Sequence, residues 1–390
     1  MKIEFFDGND IRLLETGSAY FPALLSAIDA AGFEIYLESY IFADDGSGRA
    51  VATALARAAQ RGVAVHVLVD GFGARNFPHE FGAALDAAGV EVLVFRPEVA
   101  RLELRRHRLR RLHRKVAVID RRFAFVGGIN IIDDMDTPRQ VPPRFDYAVA
   151  IEGPLVHHVH HAARHLWQLV RWISFGQRPP RPPPLAPPPV ACGDMAAALV
   201  LRDNLRHRRD IEDAYLDAIS CAHAEVVLAS AYFLPGRRFR HALMHAARRG
   251  VRVTVLLQGK VEYLLLHYAA QALYGSLLAA GVRIVEYRRS FLHAKVAVVD
   301  RDWATVGSSN IDPFSLMLAR EANVVVRHAG FAAELRHSLE RAMAQGGVEI
   351  RLEDLRKRSP LARIANWLAY SIVRLAVGVA GYGAGREFGA

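Results

Sequence analysis

Leu112 to Asn130 reads LHRKVAVIDRRFAFVGGIN, and Leu292 to Asn310 reads LHAKVAVVDRDWATVGSSN, each matched residue lying 180 positions on. Recurrence in register over such a stretch marks an internal repeat, and a repeat sets the architecture before any single element does. Working outward, RGVAVHVLVDG from Arg61 returns as RGVRVTVLLQG from Arg249, and AAGVEVLVFRP from Ala87 returns as AAGVRIVEYRR from Ala279. Upstream, LESYIF from Leu37 corresponds to LASAYF from Leu228. The chain is therefore read as two homologous halves.

Between them, Pro179 to Pro189 holds eight prolines in eleven residues. Such a run forms neither helix nor central strand and is expected to be an extended, semi-stiff connector. The expected organisation is a first half over 1–178, a linker over 179–190, a second half over 191–355 and a tail over 356–390. Within each half, helical patterns alternate with short β-rich runs. Ala50 to Gln60 is helical and is followed by VAVHVLV; Ala83 to Ala88 is helical and is followed by VEVLVF. That order predicts an α/β sandwich with a largely parallel or mixed central sheet.

The repeated stretch also carries the chemistry. On a strand, residues two apart share a face, so His113 and Lys115 project together while Val116 and Val118 turn to the core. Asp120 falls at the following turn, Gly127 and Gly128 allow close backbone approach, and Asn130 lies just beyond. His293, Lys295, Asp300, Gly307 and Asn310 repeat the plan. The grouping suits a phosphodiester. One neutral imidazole attacks phosphorus, and a second, protonated imidazole gives its proton to the departing alkoxide. Lysine and asparagine side chains (Lys115, Asn130, Lys295 and Asn310) neutralise and orient the non-bridging oxygens. Two facing half-sites make a complete acid–base pair, so no metal and no cofactor are expected. Each half also supplies an acid, Asp146 and Glu321, to hydrogen-bond the far nitrogen of a histidine and fix its tautomer. A lone His-x-Lys on a strand carries little weight, since exposed histidines and lysines are common. Two copies in register, each with Asp at +7 and Asn at +17, carry far more. The turn acids Asp120 and Asp300 belong to the motif but read better as local hydrogen-bonding devices.

Composition fits an ordinary globular chain of 390 residues, 52% hydrophobic and 23% charged. Fifty Lys+Arg against forty Asp+Glu favour anionic partners. The two cysteines, Cys192 and Cys221, form no CxxC pair, so neither a disulfide framework nor a Cys-based metal site is expected. No run of 18 purely apolar residues occurs. The N-terminus reads as the start of a domain rather than a signal peptide. Tyr263 to Val282 is uncharged, but His267, Gln271 and Ser276 interrupt it, and it reads as a buried helix.

The patterns HxKxxxxDx6GGxN and HxKxxxxDx6GSxN, duplicated on one chain, resemble the HKD motifs of the phospholipase D superfamily. With LESYIFADDGSG and RGVAVHVLVDGFG added, the chain looks like the short bacterial cardiolipin synthases over most of residues 1–355. The resemblance implies two phospholipase D-like α/β sandwich halves with the active site at their interface. It implies catalytic roles for His113, Lys115, Asp120, His293, Lys295 and Asp300. It also implies a ping-pong transfer: His113 carries the phosphatidyl group and His293 serves the alcohols, although the near-symmetry of the halves leaves the nucleophile open. Phosphatidylglycerol as donor and acceptor would give cardiolipin; water as acceptor would give phosphatidic acid. A nuclease or general phosphodiesterase is the alternative within the superfamily, since basic charge would serve it equally.

Two segments favour a lipid, and with it a peripheral place on the cytoplasmic side of a bacterial membrane, over nucleic acid. The segment around VARLELRRHRLRRL, within 100–114, is basic with interspersed leucines and would grip acidic headgroups. The tail from Leu361 to Val379, read as a helix, places Arg363, Asn366, Tyr370 and Arg374 on one side. Leu361, Leu368, Ile372, Leu375 and Val379 fall on the other, an interfacial pattern rather than a span. The run His157, His158, His160, His161 and His165 would line a helix, but without cysteine or an acid triad beside it a polar surface is the better reading than a metal site.

Overall fold

The computed structural model describes residues 3–97, 110–137, 141–176, 189–203, 206–312, 319–357 and 359–377. Most of the proline-rich connector, most of the basic segment and the tail beyond Val377 lie outside the described residues.

The first half runs β1 (Phe6–Glu15), α1 (Thr16–Asp29), β2 (Glu34–Ser39), α2 (Gly46–Gln60), β3 (Ala64–Asp70), α3 (Ala83–Ala87) and β4 (Glu91–Phe95). It continues through β5 (Arg111–Leu112), β6 (Lys115–Ile119), β7 (Phe123–Gly127), β8 (Tyr147–Glu152) and α4 (Leu155–Phe175). The second half repeats the order with β9 (Met195–Arg202), α5 (Asp210–Cys221), β10 (Glu225–Ser230), α6 (Arg237–Arg248), β11 (Arg252–Gln258), α7 (Leu264–Ala279) and β12 (Arg283–Tyr287). Then come β13 (Lys295–Val299), β14 (Trp303–Gly307), β15 (Ala319–Arg327), α8 (Ala329–Gly346), β16 (Gly347–Ile350), α9 (Leu352–Arg356) and α10 (Pro360–Val377).

Local chemistry explains the elements that matter. Asp45 caps α2 by accepting the Gly48 N–H at 2.8 Å, and Val51, Leu55 and Ala58 then recur on its buried face. Strand β3 is mostly apolar, interrupted by His66 before its terminal Asp70, because it pairs in parallel on both edges and both its faces are largely covered. Helix α4 stops at Gly176, whose left-handed φ of 67° suits the residue without a Cβ.

Strand order shows the duplication directly. From the middle outward the first half reads β1-β8-β7-β6-β2-β3-β4, and the second reads β9-β15-β14-β13-β10-β11-β12, with β16 added at the far edge. The two arrays join where β1 pairs antiparallel with β9, at Phe6 with Ala197 and Asn9 with Met195. The sheet is mixed: β2-β3-β4 and β10-β11-β12 run parallel, while the hairpins β6-β7 and β13-β14 are antiparallel.

Three large apolar clusters follow from this plan. One fills the outer side of the first half under α1 and α2, and another the outer side of the second half under α5, α6 and α7. The third is shared: Val116, Val118 and Val149 meet Val296, Val298 and Val324 together with α4 and α8. This common core fixes one half against the other, and with it the distance between the two half-sites.

A fourth, smaller cluster lies beneath the tail helix. Helix α10 packs along α7, burying Asn366, Ala369 and Val373, and the Asn366 amide donates to Gln271 at 3.5 Å. The side expected to face water thus partly faces the protein. Leu361, Ile364, Trp367, Leu368, Ile372 and Leu375 stand exposed instead. Helix α7 is also less buried than its sequence suggested, for Leu264, Leu265 and Tyr268 in its first turns are exposed.

Candidate active site

His113 lies between β5 and β6, and His293 occupies the same place before β13. The start of each histidine strand docks not on its own half but on the other. The His113 N–H donates to the Arg320 carbonyl at 3.0 Å, and the His293 N–H donates to the Phe145 carbonyl at 2.8 Å. Arg320 and Phe145 each precede an acid, so the acids arrive crosswise. His113 Nδ1 lies 3.0 Å from both Glu321 oxygens, and His293 Nδ1 lies 2.6 Å from Asp146 Oδ2. Each histidine is hydrogen-bonded at Nδ1 by a carboxylate from the opposite half, which fixes the ring and leaves Nε2 outside these contacts. Sequence position assigned one acid to each histidine but did not reveal the exchange.

The lysines and asparagines gather here as well. Lys115 Nζ donates to the His113 carbonyl at 2.8 Å and sits 5.3 Å from the Tyr40 ring centroid. Lys295 Nζ reaches Asp146 at 3.3 Å and also contacts the His293 carbonyl. Asn130 and Asn310 are buried just past the glycine strands, and the Asn130 side chain accepts the Ile41 N–H at 3.2 Å.

Burial dominates the electrostatics. It pushes the Lys115 ammonium down to about 7, against the pull of Glu321, and lowers Lys295 in the same direction. It lowers His113, and it takes His293 to about 3 with Lys295 adding to the effect against Asp146. Burial alone would raise Asp146, but Lys295 and His293 outweigh it and hold the carboxyl below its ordinary range. Both imidazoles are therefore neutral in the ligand-free site at neutral pH, the form a nucleophile needs.

Asp120 and Asp300, expected as motif members to take part in catalysis, sit at the opposite ends of β6 and β13 from the histidines. Asp120 accepts the N–H groups of Gly32, Phe33 and Glu34 at 2.8–2.9 Å, and Asp300 those of His223, Ala224 and Glu225 at the same lengths. Both adopt left-handed backbone, at φ 52° and 50°. They tie the hairpin turn to the start of the neighbouring parallel strand; the turn-acid reading is the one the geometry supports. The α4 histidines are equally structural at their buried member. His160 lies 3.0 Å from Glu34, and among the described residues no group of three or more His, Cys, Asp or Glu is arranged to hold a metal.

Several contributors escaped the sequence reading. Ser308 donates to Glu321 at 2.5 Å; its counterpart Gly128 is hydrogen-only because a Cβ there would strike the Asp146 carboxylate. Tyr40 meets the His113 ring edge-on at 4.8 Å. Asp70 and Gln258 each accept the N–H that precedes a histidine, at Leu112 (2.7 Å) and Leu292 (3.1 Å). Arg114 forms a buried two-point pair with Glu38, at 2.6 and 2.8 Å. The last had a signal in the repeat: Glu38 and Arg114 correspond to Ala229 and Ala294, so both partners change together.

With this geometry in place, similarity to known proteins is informative. A family profile described as "Cardiolipin synthase, PLD-like domain" matches residues 24–167 and 215–343. The chain is 39% identical over 384 residues to cardiolipin synthase B of Escherichia coli strain K12, covering 96% of this chain and 90% of that protein. It is 32% identical over 351 residues to cardiolipin synthase A of Pseudomonas aeruginosa strain LESB58, covering 89% and 69%. Among solved structures, phosphatidylserine synthase of Haemophilus influenzae Rd KW20 superposes with a TM-score of 0.69 at 12% identity over 96% of each chain, a likeness of fold.

Proposed function

The chain belongs to the phospholipase D-like family that carries the cardiolipin synthase domain, and from that premise we propose that it is a phosphatidyltransferase making cardiolipin from phosphatidylglycerol. The observation that carries this reading is the pair of crossed histidine–carboxylate contacts, which orients two imidazoles at the junction of the halves.

In the first step His113 Nε2 attacks the phosphorus of one phosphatidylglycerol and a P–N bond forms. The P–O bond to glycerol breaks, and the alkoxide takes its proton from His293 Nε2. In the second step the hydroxyl of another phosphatidylglycerol gives its proton to His293 while its oxygen attacks phosphorus. The P–N bond breaks and cardiolipin leaves. His293 is neutral in the empty site, so its proton arrives with the negative phosphate, which reverses the penalty that burial and Lys295 impose. Lys115, Lys295, Asn130 and Asn310 are positioned to steady the non-bridging oxygens, and Glu321 and Asp146 hold the two rings.

A lipid substrate fits the exterior. The exposed apolar residues of α10 and of the first turns of α7, helices that pack on each other, are of the kind that seats in a membrane interface. No described helix is long and apolar enough to cross a membrane. Peripheral attachment to the cytoplasmic face of a bacterial membrane, helped by the basic segment before His113, completes the proposal.

The test is product analysis by mass spectrometry on phosphatidylglycerol vesicles, with the parent, His113→Ala and His293→Ala proteins. Cardiolipin from the parent and from neither variant is expected. Phosphatidic acid alone would make the protein a hydrolase; no lipid product would overturn the lipid reading and point to a nucleic-acid substrate.

A further inference from the structure

Both half-sites carry the same histidine, lysine and asparagine, so a cation that only one half supplies has a separate meaning. Arg144 is such a cation. It lies two residues before Asp146, and the registers of β7 with β8 and of β14 with β15 equate it with Ala319. Its place is fixed across the junction of the halves. The Arg144 N–H donates to the Asp134 carbonyl at 2.7 Å, and the Ser290 hydroxyl donates to the Pro143 carbonyl at 2.6 Å. Phe145 then donates its N–H to the Phe291 carbonyl at 2.8 Å and accepts the His293 N–H at the same length. Arg144 is thereby held against the segment that ends at His293, with its guanidinium 5.2 Å from the Phe291 ring centroid.

Among the described residues no acid pairs with this guanidinium, and its Nε is buried without a hydrogen-bond partner. Two acids that share its surroundings are engaged by other groups. Asp134 accepts the Gly17 N–H at 2.7 Å, and Glu262 accepts the Tyr232 hydroxyl at 2.6 Å. The positive charge is felt at the reaction centre. Burial and Lys295 are the main causes that depress His293, and Arg144 adds to them. Burial likewise depresses Lys295, again with Arg144 adding. Arg144 is therefore an unneutralised cation beside the reacting groups, and it belongs to neither copy of the motif.

The chemistry of the group indicates what it binds. A guanidinium packed on an aromatic ring keeps its edge for paired donation, which suits the two non-bridging oxygens of a phosphodiester. A reaction between two phospholipids brings in one phosphodiester more than the one that reacts. The second lipid carries its own phosphate, which stays anionic throughout. Lys115, Lys295, Asn130 and Asn310 serve the reacting phosphate. A second anion close to the first is repelled unless another cation receives it.

We propose that Arg144 is a specificity residue that binds the unreacting phosphodiester of the second lipid, so that a phospholipid alcohol is preferred to water or free glycerol as acceptor. The inference rests on the phosphatidyltransferase reading and adds no step to it. Arg144 forms no bond to the reacting phosphorus and moves no proton; its effect is on which alcohol is held in place.

The test supplies phosphatidylglycerol vesicles together with isotopically labelled free glycerol and follows two products by mass spectrometry. One is cardiolipin, whose acceptor carries a phosphate. The other is phosphatidylglycerol that has taken up labelled glycerol, whose acceptor carries none. Both products pass through the same first step. In Arg144→Ala the ratio of cardiolipin to labelled phosphatidylglycerol should fall at least tenfold. Arg144→Lys, which keeps the charge without the fork, should lie between Arg144→Ala and the parent. If Arg144→Ala makes neither product, the ratio in Arg144→Gln decides. A parental ratio in the active variants, or loss of both products in all three, overturns the assignment. A parent that forms neither product defeats the phosphatidyltransferase reading itself, whereas a parent that exchanges glycerol but makes no cardiolipin overturns the role of a second lipid.

Discussion

Removing Glu38 strands the Arg114 guanidinium in a place that the other half of the same protein fills with hydrocarbon. Glu38 and Arg114 are 3% and 5% exposed and joined by two short hydrogen bonds, and Arg320 adds a second cation close to Glu38. The corresponding positions are Ala229, Ala294 and Phe145, and Phe145 stacks on Tyr287 at 5.7 Å where Arg320 lies 5.9 Å over Phe95. Breaking one partner of a buried ion pair costs about 3–5 kcal/mol, most of it for the charge left behind. Glu38→Ala should therefore lose that much in urea unfolding. Arg114→Ala should lose less, about 2–3 kcal/mol, because burial already pushes the Glu38 carboxyl upward and it is able to protonate. The triple variant Glu38→Ala, Arg114→Ala, Arg320→Phe copies the second half and should unfold within about 2 kcal/mol of the parent. The shared core makes both halves report in one transition. If the triple variant is no more stable than Glu38→Ala alone, the unpaired charge is not what the single substitution costs, and the comparison of the halves is wrong.

Glu321→Gln keeps the size of the side chain but removes the charge facing His113 and offers an N–H where Nδ1 should itself donate. Turnover of phosphatidylglycerol should fall about 10³–10⁴-fold, the scale seen when a histidine-orienting acid becomes an amide; an initial rate within tenfold of the parent would remove Glu321 from that role. Lys115→Met should abolish turnover yet raise the melting temperature at pH 6. The folded-state value of Lys115 is about 7 against 10.5 when unfolded, so the unfolded chain binds the extra proton between those values. The penalty on the native state is full below about pH 7 and gone above about 10.5, and the variant's thermal advantage should vanish over the same range. A melting difference that does not change with pH would refute it.

Much of this was written in the sequence, because a duplicated catalytic strand announces both the halves and the residues at their junction. The His-x-Lys spacing put Lys115 and Lys295 at the heads of their strands, while His113 and His293 fall just before them rather than on them. The exchange of Glu321 and Asp146 was not legible. A repeat offers two equivalent pairings, within a half or between halves, and only the docking of β5 on β15 and of Leu292 beside Phe145 chooses. For the tail helix, the exposed side matches the projection at Leu361, Leu368, Ile372 and Leu375, but what covers the other side was not legible. Amphipathic projection assumes water on the polar side, whereas α7 presents Ala269, Leu273 and Gln271 to Asn366, Ala369 and Val373.

The crossed pairing also sets a timetable. His113 and the carboxylate that orients it are separated by 208 residues, and the other pair by 147. During synthesis the first half emerges from the ribosome well ahead of the second, and it can fold there. Yet its histidine has no orienting acid until residue 321 has appeared and β15 has come to rest beside it. A nascent or truncated chain that touches lipid too early is thus chemically mute, and completion of the polypeptide is itself the step that switches the reaction on.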